Sequence, residues 1–264
     1  MEPLLRAVNL TKRFGGLTAV NNVSLDVFPG EVVGLLGDNG AGKSTFIKMI
    51  SGVYSQDEGE IFFKGQKLSL NNPREARDMG IETIYQDLAL AENLDVGSNV
   101  FLGREVKKPL IGRYVQTLDR KRMHDEALTV LKRLDIRIPT MHTPIRSLSG
   151  GQRQAVAIAR AIYWDAKMLI LDEPTAALGV SEQRKVLTLV RTLRDQGVPI
   201  IIISHNMQDV FAVADRVVVM RRGNNVGERK IKQTTVDEIV SLMVGAEAVH
   251  EMGVLPKAIE GNGH

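Results

Sequence analysis

Residues Gly37-Asp38-Asn39-Gly40-Ala41-Gly42-Lys43-Ser44 match G-x-x-x-x-G-K-[ST] at every fixed position. An apolar run ending at Leu36 precedes them, and the stretch from Thr45, stopped by Gly52, reads as a helix after them. Strand, glycine loop and helix in that order build an anion cradle. The loop's backbone N–H groups converge on the ligand, and the helix N-terminus adds its positive end. In such a cradle Lys43 reaches the β- and γ-phosphates of a nucleotide, and Ser44 holds Mg²⁺. With 24 glycines in 264 residues, plain turns are plentiful, but a plain turn explains neither the lysine nor the flanking strand and helix. The loop alone does not name the nucleotide.

The chain has the means to build the sheet that this loop requires. At 44% hydrophobic and 25% charged residues it is globular, large enough for one big domain or a core with a subdomain. Its 34 basic and 31 acidic residues are interleaved, leaving a net charge of +3, which reads as mixed solvated faces and not as a nucleic-acid surface. Cysteine is absent, which removes disulfides, thiolate metal sites and cysteine nucleophiles together and suits a reducing cytosol. Charged Glu2, Arg6, Lys12 and Arg13 leave no room for a signal peptide at the start. The longest aliphatic block, Val198 to Ile203, falls far short of the roughly 18 residues of a membrane span. Work at a membrane would need another chain to hold this one there.

Alternating apolar and polar positions in Leu4 to Asn9 and Val20 to Phe28 predict an antiparallel flank, with turns at Gly15-Gly16 and Pro29-Gly30. Phe14, just before the first glycine pair, reads on position alone as core. Further strands are expected over Gly59 to Gly65, Ile81 to Tyr85, Met168 to Asp172, Val198 to Ser204 and, last, Arg216 to Met220. Helices are expected over Pro73 to Met79, Asp119 to Leu134, Ser181 to Asp195 and Met207 to Ala214, with a capping box, Thr235 to Glu238, opening a final helix. Residues 87–120 read only as helix pieces and loops, a helical period returns over Asp119 to Leu134, and no strand is defensible, so residues 87–164 read as a helical subdomain inserted between core segments 1–86 and 165–244. Residues 245–264 read as a loosely held tail. The fold class is α/β: a P-loop core with a mostly parallel sheet, an antiparallel β flank and an inserted helical subdomain.

Asp172 and Glu173 end an apolar strand, where a P-loop enzyme needs one carboxylate for Mg²⁺ and a second to orient or deprotonate water. Gln86 and His205 also sit at strand exits; the histidine could donate to a γ-phosphate there, or be structural. Leu148-Ser149-Gly150-Gly151-Gln152 opens an amphipathic helix and makes a second anion-binding helix start in one chain. A plain N-cap accounts for Ser149 but, on the sequence, not for both glycines and Gln152.

With these segments in order, the chain resembles the ATP-binding subunits of ABC transporters over nearly its full length. Gly37 to Ser44 matches Walker A, Gln86 the Q-loop, Leu148 to Gln152 the signature, Leu169 to Asp172 with Glu173 Walker B, and His205 the switch histidine. The resemblance implies ATP and Mg²⁺ as cofactors, with Gly37 to Thr45 and Ser149 to Gln152 on the nucleotide and Ser44, Gln86 and Asp172 at the metal. It implies catalytic roles for Glu173, His205 and Gln86, and stacking of Phe14 on adenine. Two subunits are expected to sandwich two ATP molecules, each P-loop facing the other chain's signature. One departure stands out: Ala176-Ala177-Leu178-Gly179 lacks the aspartate that the family usually carries after Walker B, which removes a polar contact between the sites.

The text around Gln86 and Phe101 to Arg104, with Asp172 to Val180, is similar to bacterial importers of ribose, xylose and fructose. That similarity implies a homodimer on the cytoplasmic face of the inner membrane, bound to a multi-span permease and served by a secreted sugar-binding protein. Three rivals fit less well. A GTPase lacks an [NT]-K-x-D segment here, an ABC ATPase acting on DNA or ribosomes lacks a coiled coil, tandem cassette or basic arm, and a non-catalytic module conflicts with Glu173 and His205.

Overall fold

The computed structural model describes residues 2–111 and 115–245. In chain order the elements are β1 (Leu5–Phe14), β2 (Leu17–Val27), β3 (Val32–Leu36), α1 (Lys43–Ile50), β4 (Glu58–Phe63), β5 (Gln66–Leu68), α2 (Pro73–Met79) and β6 (Ile81–Ile84). Then come α3 (Val96–Val100), β7 (Lys107–Ile111), β8 (Val115–Leu118), α4 (Arg120–Arg133), α5 (Gly150–Tyr163), β9 (Met168–Asp172) and α6 (Val180–Asp195). The last are β10 (Ile200–Ile203), α7 (Met207–Val213), β11 (Arg216–Arg221), β12 (Asn224–Lys230) and α8 (Val236–Val244).

Strands β3 and β10 carry no exposed residue, so both faces of their sheet must be covered, as parallel pairing within an α/β layer achieves. The six strands run in the order β12-β11-β3-β10-β9-β6, and only β12 is antiparallel to its neighbour. Alternate side chains feed two cores. Leu169, Leu171, Ile200 and Ile202 join the helices α3 to α7 on one face. Ile170, Ile201 and Ile203 join α1 and the second sheet, β2-β1-β4-β5, on the other.

Register matters more than strand count. Ile203 is level with Leu35 of β3 and with Asp172 of β9, and Ile84 is level with Leu171. The loop after β3, the carboxylates after β9, His205 after β10 and Gln86 after β6 therefore emerge along one edge.

The structure corrects the sequence reading of the elements. Arg216 to Met220 is not the last strand, because β12 turns back beside it. The stretch 87–164 is not strand-free, because β7 and β8 form an antiparallel hairpin. At the last helix Thr235 accepts the Glu238 N–H, but the Glu238 carboxylate turns instead to Arg229 and Thr234, so the box is half made. Most of the expected tail, residues 246–264, lies outside the described residues.

Arg216 joins the layers at their lower edge. Its buried guanidinium pairs with Glu31 at 2.7 Å and Glu228 at 3.0 Å and donates to the Asp26 carbonyl, so β11 is held to β12 and to the segments flanking β3. Removing it leaves the mostly buried Glu31 carboxylate uncompensated, and Arg216→Ala should cost about 3 kcal/mol in denaturant unfolding. A loss below about 1 kcal/mol would place the guanidinium among weak surface pairs instead.

Candidate functional site

The glycine loop is shaped by backbone pressed against it from two sides. A Cβ on Gly37 (φ +152°) would lie 2.3 Å from the Met220 carbonyl oxygen, and one on Gly42 (φ +99°) 2.4 Å from that of Ala19. No other residue fits at either point. Gly42 is also the N-cap of α1 and offers no side-chain cap, so the first N–H groups of that helix are left for an anion. Lys43 bends back over the loop, and its Nζ donates to the carbonyls of Gly37 at 2.7 Å and Asp38 at 3.1 Å. Burial draws the Lys43 pKa below its usual value, with Glu173, Asp38 and Asp172 pulling the other way. Burial also pushes Asp172 up, the Glu173 charge adds to this, and Lys43 and Lys48 oppose it.

A cavity of about 590 Å³ opens beside the loop, lined by Asn39 to Thr45, by Phe14 and Leu17 to Ala19 from the β1–β2 turn, and by Arg222 and Gly223. Phe14 is 43% exposed, edge-on to Tyr54 with ring centroids 5.3 Å apart, so it is not core. The Arg222-Gly223 wall went unread in the sequence, since it is the turn between β11 and the unforeseen β12. The signal for it was present in Arg222-Gly223-Asn224-Asn225, a run of turn formers after an apolar strand. Gly37 and Asp38 are not part of the lining, and Gln86, Asp172, Glu173 and His205 lie outside it at the ends of β6, β9 and β10.

Glu173 has a left-handed backbone (φ +53°), a strained state for a residue with a Cβ. Its Oε1 accepts the His205 N–H at 3.0 Å. Its Oε2 lies 2.8 Å from His205 Nδ1, yet it is buried without an aligned hydrogen bond. Such an oxygen is available to a water or a ligand proton. Behind it, Thr175 donates to Asp209 at 2.6 Å, both buried, and ties the loop after β9 to α7. Gln86, exposed two residues past β6, stands in line with this pair.

At the other helix start the structure is less permissive than the sequence suggested. Ser149 Oγ accepts the Gln152 N–H at 3.3 Å, and Gln152 Oε1 accepts the Ser149 N–H at 3.0 Å. This reciprocal box accounts for Gln152 without any ligand. Nor do the glycines require one: a Cβ on Gly150 would meet Leu178 Cδ2 at 2.5 Å, and one on Gly151 would meet Glu182 Cβ at 2.9 Å. Glu182 of α6 already brings a carboxylate to this helix start. The Ser149 hydroxyl, and less strongly the Gly151 N–H, hold its pKa below the usual range.

The ABC transporter family profile matches residues 20–176. The chain belongs to the ABC transporter family. It is 48% identical to the xylose/arabinose import ATP-binding protein of Sulfolobus acidocaldarius, over 92% of this chain and 94% of that one. It is 46% identical to the fructose import ATP-binding protein of Rhizobium meliloti, over 93% and 95%. Among solved structures, an ABC transporter cassette in its ADP conformation superposes with a TM-score of 0.78 at 27% identity, over 96% of this chain and 100% of that one. A dimeric bacterial ABC transporter cassette gives 0.71 at 25%, over 87% and 100%.

Among ABC transporter cassettes the departure at Gly179 now has a physical reading. Gly179 caps α6 with φ −68° and ψ 156°, and a Cβ there would meet nothing within 4 Å. An aspartate is sterically free at this point and would supply the side-chain cap that α6 lacks. Gly179→Asp should therefore fold with stability equal to the parent or a few tenths of a kcal/mol higher. A clearly lowered melting midpoint would contradict this geometry.

Proposed function

We propose that this chain hydrolyses ATP, as a nucleotide-sandwich homodimer, to power import of a simple sugar through a membrane permease. The observation that carries the catalytic part is the buried, unaligned Oε2 of Glu173, held beside His205 at the strand edge that also presents Lys43 and Asp172. The sugar rests on the import proteins to which the chain is similar. No helix among the described residues is long and apolar enough to cross a membrane. The permease would hold the chain at the cytoplasmic face, and a secreted sugar-binding protein would deliver the solute.

In this reading residues 1–86 and 165–244 form the ATP-binding core, and 87–164 the helical subdomain that carries Ser149 to Gln152. Phosphates occupy the free N–H groups of Gly37 to Thr45, and Lys43 exchanges two neutral carbonyls for a charged oxygen, a stronger bond. Ser44, Gln86 and Asp172 would hold Mg²⁺; Asp172, raised by burial and by the Glu173 charge, is a carboxylate in need of a cation. When bound, the ion would neutralise phosphate charge. Glu173 takes a proton from the attacking water, and the His205 N–H keeps its carboxylate oriented.

Phe14 offers adenine an exposed ring at the cavity mouth, a contact worth about 1 kcal/mol. Phe14→Ala should raise the ATP dissociation constant several-fold while Phe14→Tyr leaves it unchanged; equal affinity in all three would remove the stacking role.

Glu173→Gln keeps the shape and removes the base, so turnover should fall by about 10²-fold or more while ATP binding persists. In ATP and Mg²⁺ this variant should accumulate as a dimer by light scattering, with the permease added if the isolated chain stays monomeric. Adding Ser149→Arg places a long cation between subunits and should return it to monomer, with circular dichroism confirming that the lost N-cap has not unfolded α5. Persistent dimerisation of the folded double variant in both settings would refute the shared site.

A further inference from the structure

Three residues distant in sequence meet in the helical region and serve nothing described above. Asp95 caps α3, His124 lies within α4, and His142 lies in the segment that leads on to Ser149. Each offers a ligand atom, and the three atoms lie within 4.8 Å of one another. His124 is only 8% exposed, and its Nε2 is buried without a hydrogen-bond partner, although Asp95 Oδ2 is 3.3 Å away. A buried polar nitrogen left unsatisfied destabilises the fold unless something binds it.

The surroundings hold these groups in place. Asp95 divides its oxygens: Oδ1 accepts the Ser98 N–H at 2.7 Å, and Oδ2 faces His124. A Cβ on Gly97 would fall 2.0 Å from His124 Cδ2, so the imidazole sits directly on the first turn of α3. The His142 ring stands edge-on to that of His124, with centroids 4.4 Å apart. Its chain segment is bound to α3 through Val96 N–H to the Thr143 carbonyl (3.1 Å) and Gly97 N–H to that of Met141 (3.2 Å). Two imidazoles and one carboxylate form a donor set suited to Zn²⁺, with a fourth position left for water.

We propose that Asp95, His124 and His142 form a binding site for a divalent transition metal, Zn²⁺ by its donor set. The ion would give the orphaned Nε2 its partner and cross-link the start of α3, α4 and the segment entering α5. Nucleotide hydrolysis does not require it, so the proposal stands independently of the ATPase reading.

The test titrates the chelator-stripped full chain with Zn²⁺ against a chromophoric competitor, without nucleotide or Mg²⁺. One equivalent should bind. Affinity should fall at least about tenfold in His142→Ala and in Asp95→Asn, which retains the helix cap. It should be unchanged in His205→Ala, which removes the histidine beside Glu173. Zn²⁺ should raise the melting midpoint of the parent by several degrees and leave that of His142→Ala unmoved. His142 is exposed, so its removal should leave the metal-free midpoint unchanged. Binding that survives both Asp95 and His142 substitutions, binding lost in His205→Ala, or a dissociation constant above about 100 μM in the parent would each overturn the site.

Discussion

Parallel pairing of β3, β10 and β9 places Leu35, Ile203 and Asp172 side by side, and everything chemical here depends on that alignment. It sets the positive end of α1 beside two carboxylates in a half-buried space. Lys43 cannot neutralise both, and it spends its hydrogen bonds on the carbonyls of Gly37 and Asp38. The strain in that arrangement is electrostatic: burial lowers the lysine and raises Asp172, so each group is displaced toward its neutral form. In the function proposed above, a magnesium nucleotide would relieve both displacements, offering anionic oxygens to Lys43 and a cation to Asp172. The site would then be complementary to the charge pair of its ligand and not to phosphate alone.

The start of α5 follows a different logic. Within one protomer, Ser149 and Gln152 are satisfied by each other, Gly150 and Gly151 are needed for contact with Leu178 and Glu182, and the helix dipole already faces a carboxylate. Both glycines and Gln152, which a plain N-cap left unexplained on the sequence, therefore have structural roles that demand no ligand. In the proposed dimer, a phosphate from the other subunit would meet the Glu182 carboxylate at this helix start. The Glu182 carboxylate is not a buried charge and could move aside at little cost, so the competition would be mild.

What the sequence made legible follows burial. Strands β3 and β10, and β9 up to Asp172, are apolar because both their faces are covered, and each leads into candidate residues: the glycine loop, Asp172 with Glu173, and His205. Strand β12, Asn224 to Lys230, is an edge strand whose one apolar side chain, Val226, sets no alternation amid polar residues. The β7–β8 hairpin is mostly exposed and hidden for the same reason. Phe14 read as core on position alone and is 43% exposed, because exposure of an aromatic depends on what the opposite turn supplies. Asp95, His124 and His142 were invisible because helix packing, and no motif spacing, brings them together.

The chain leaving β6 is bound to the helix that carries the signature segment. Arg160 of α5, its pKa lowered by burial, donates to the carbonyls of Ala89 at 3.0 Å and Leu88 at 3.3 Å, three and two residues beyond Gln86. Asn99, wholly buried, extends the connection by donating to Ala91 and Leu94 and accepting from Ala91 N–H. Bonds to a partly buried charged guanidinium are costly to break unpaired, so a shift of the segment after Gln86 would carry α5 with it or leave Arg160 unsatisfied. Gln86 stands at the carboxylate edge and Ser149 at the far end of α5, so an ion drawing on Gln86 would act on the signature through a single helix. One core cluster runs from Leu171 and Ile84 of the sheet to Val156 and Leu148 of the helical region. Any such movement must therefore slide along a packed surface and cannot open a gap.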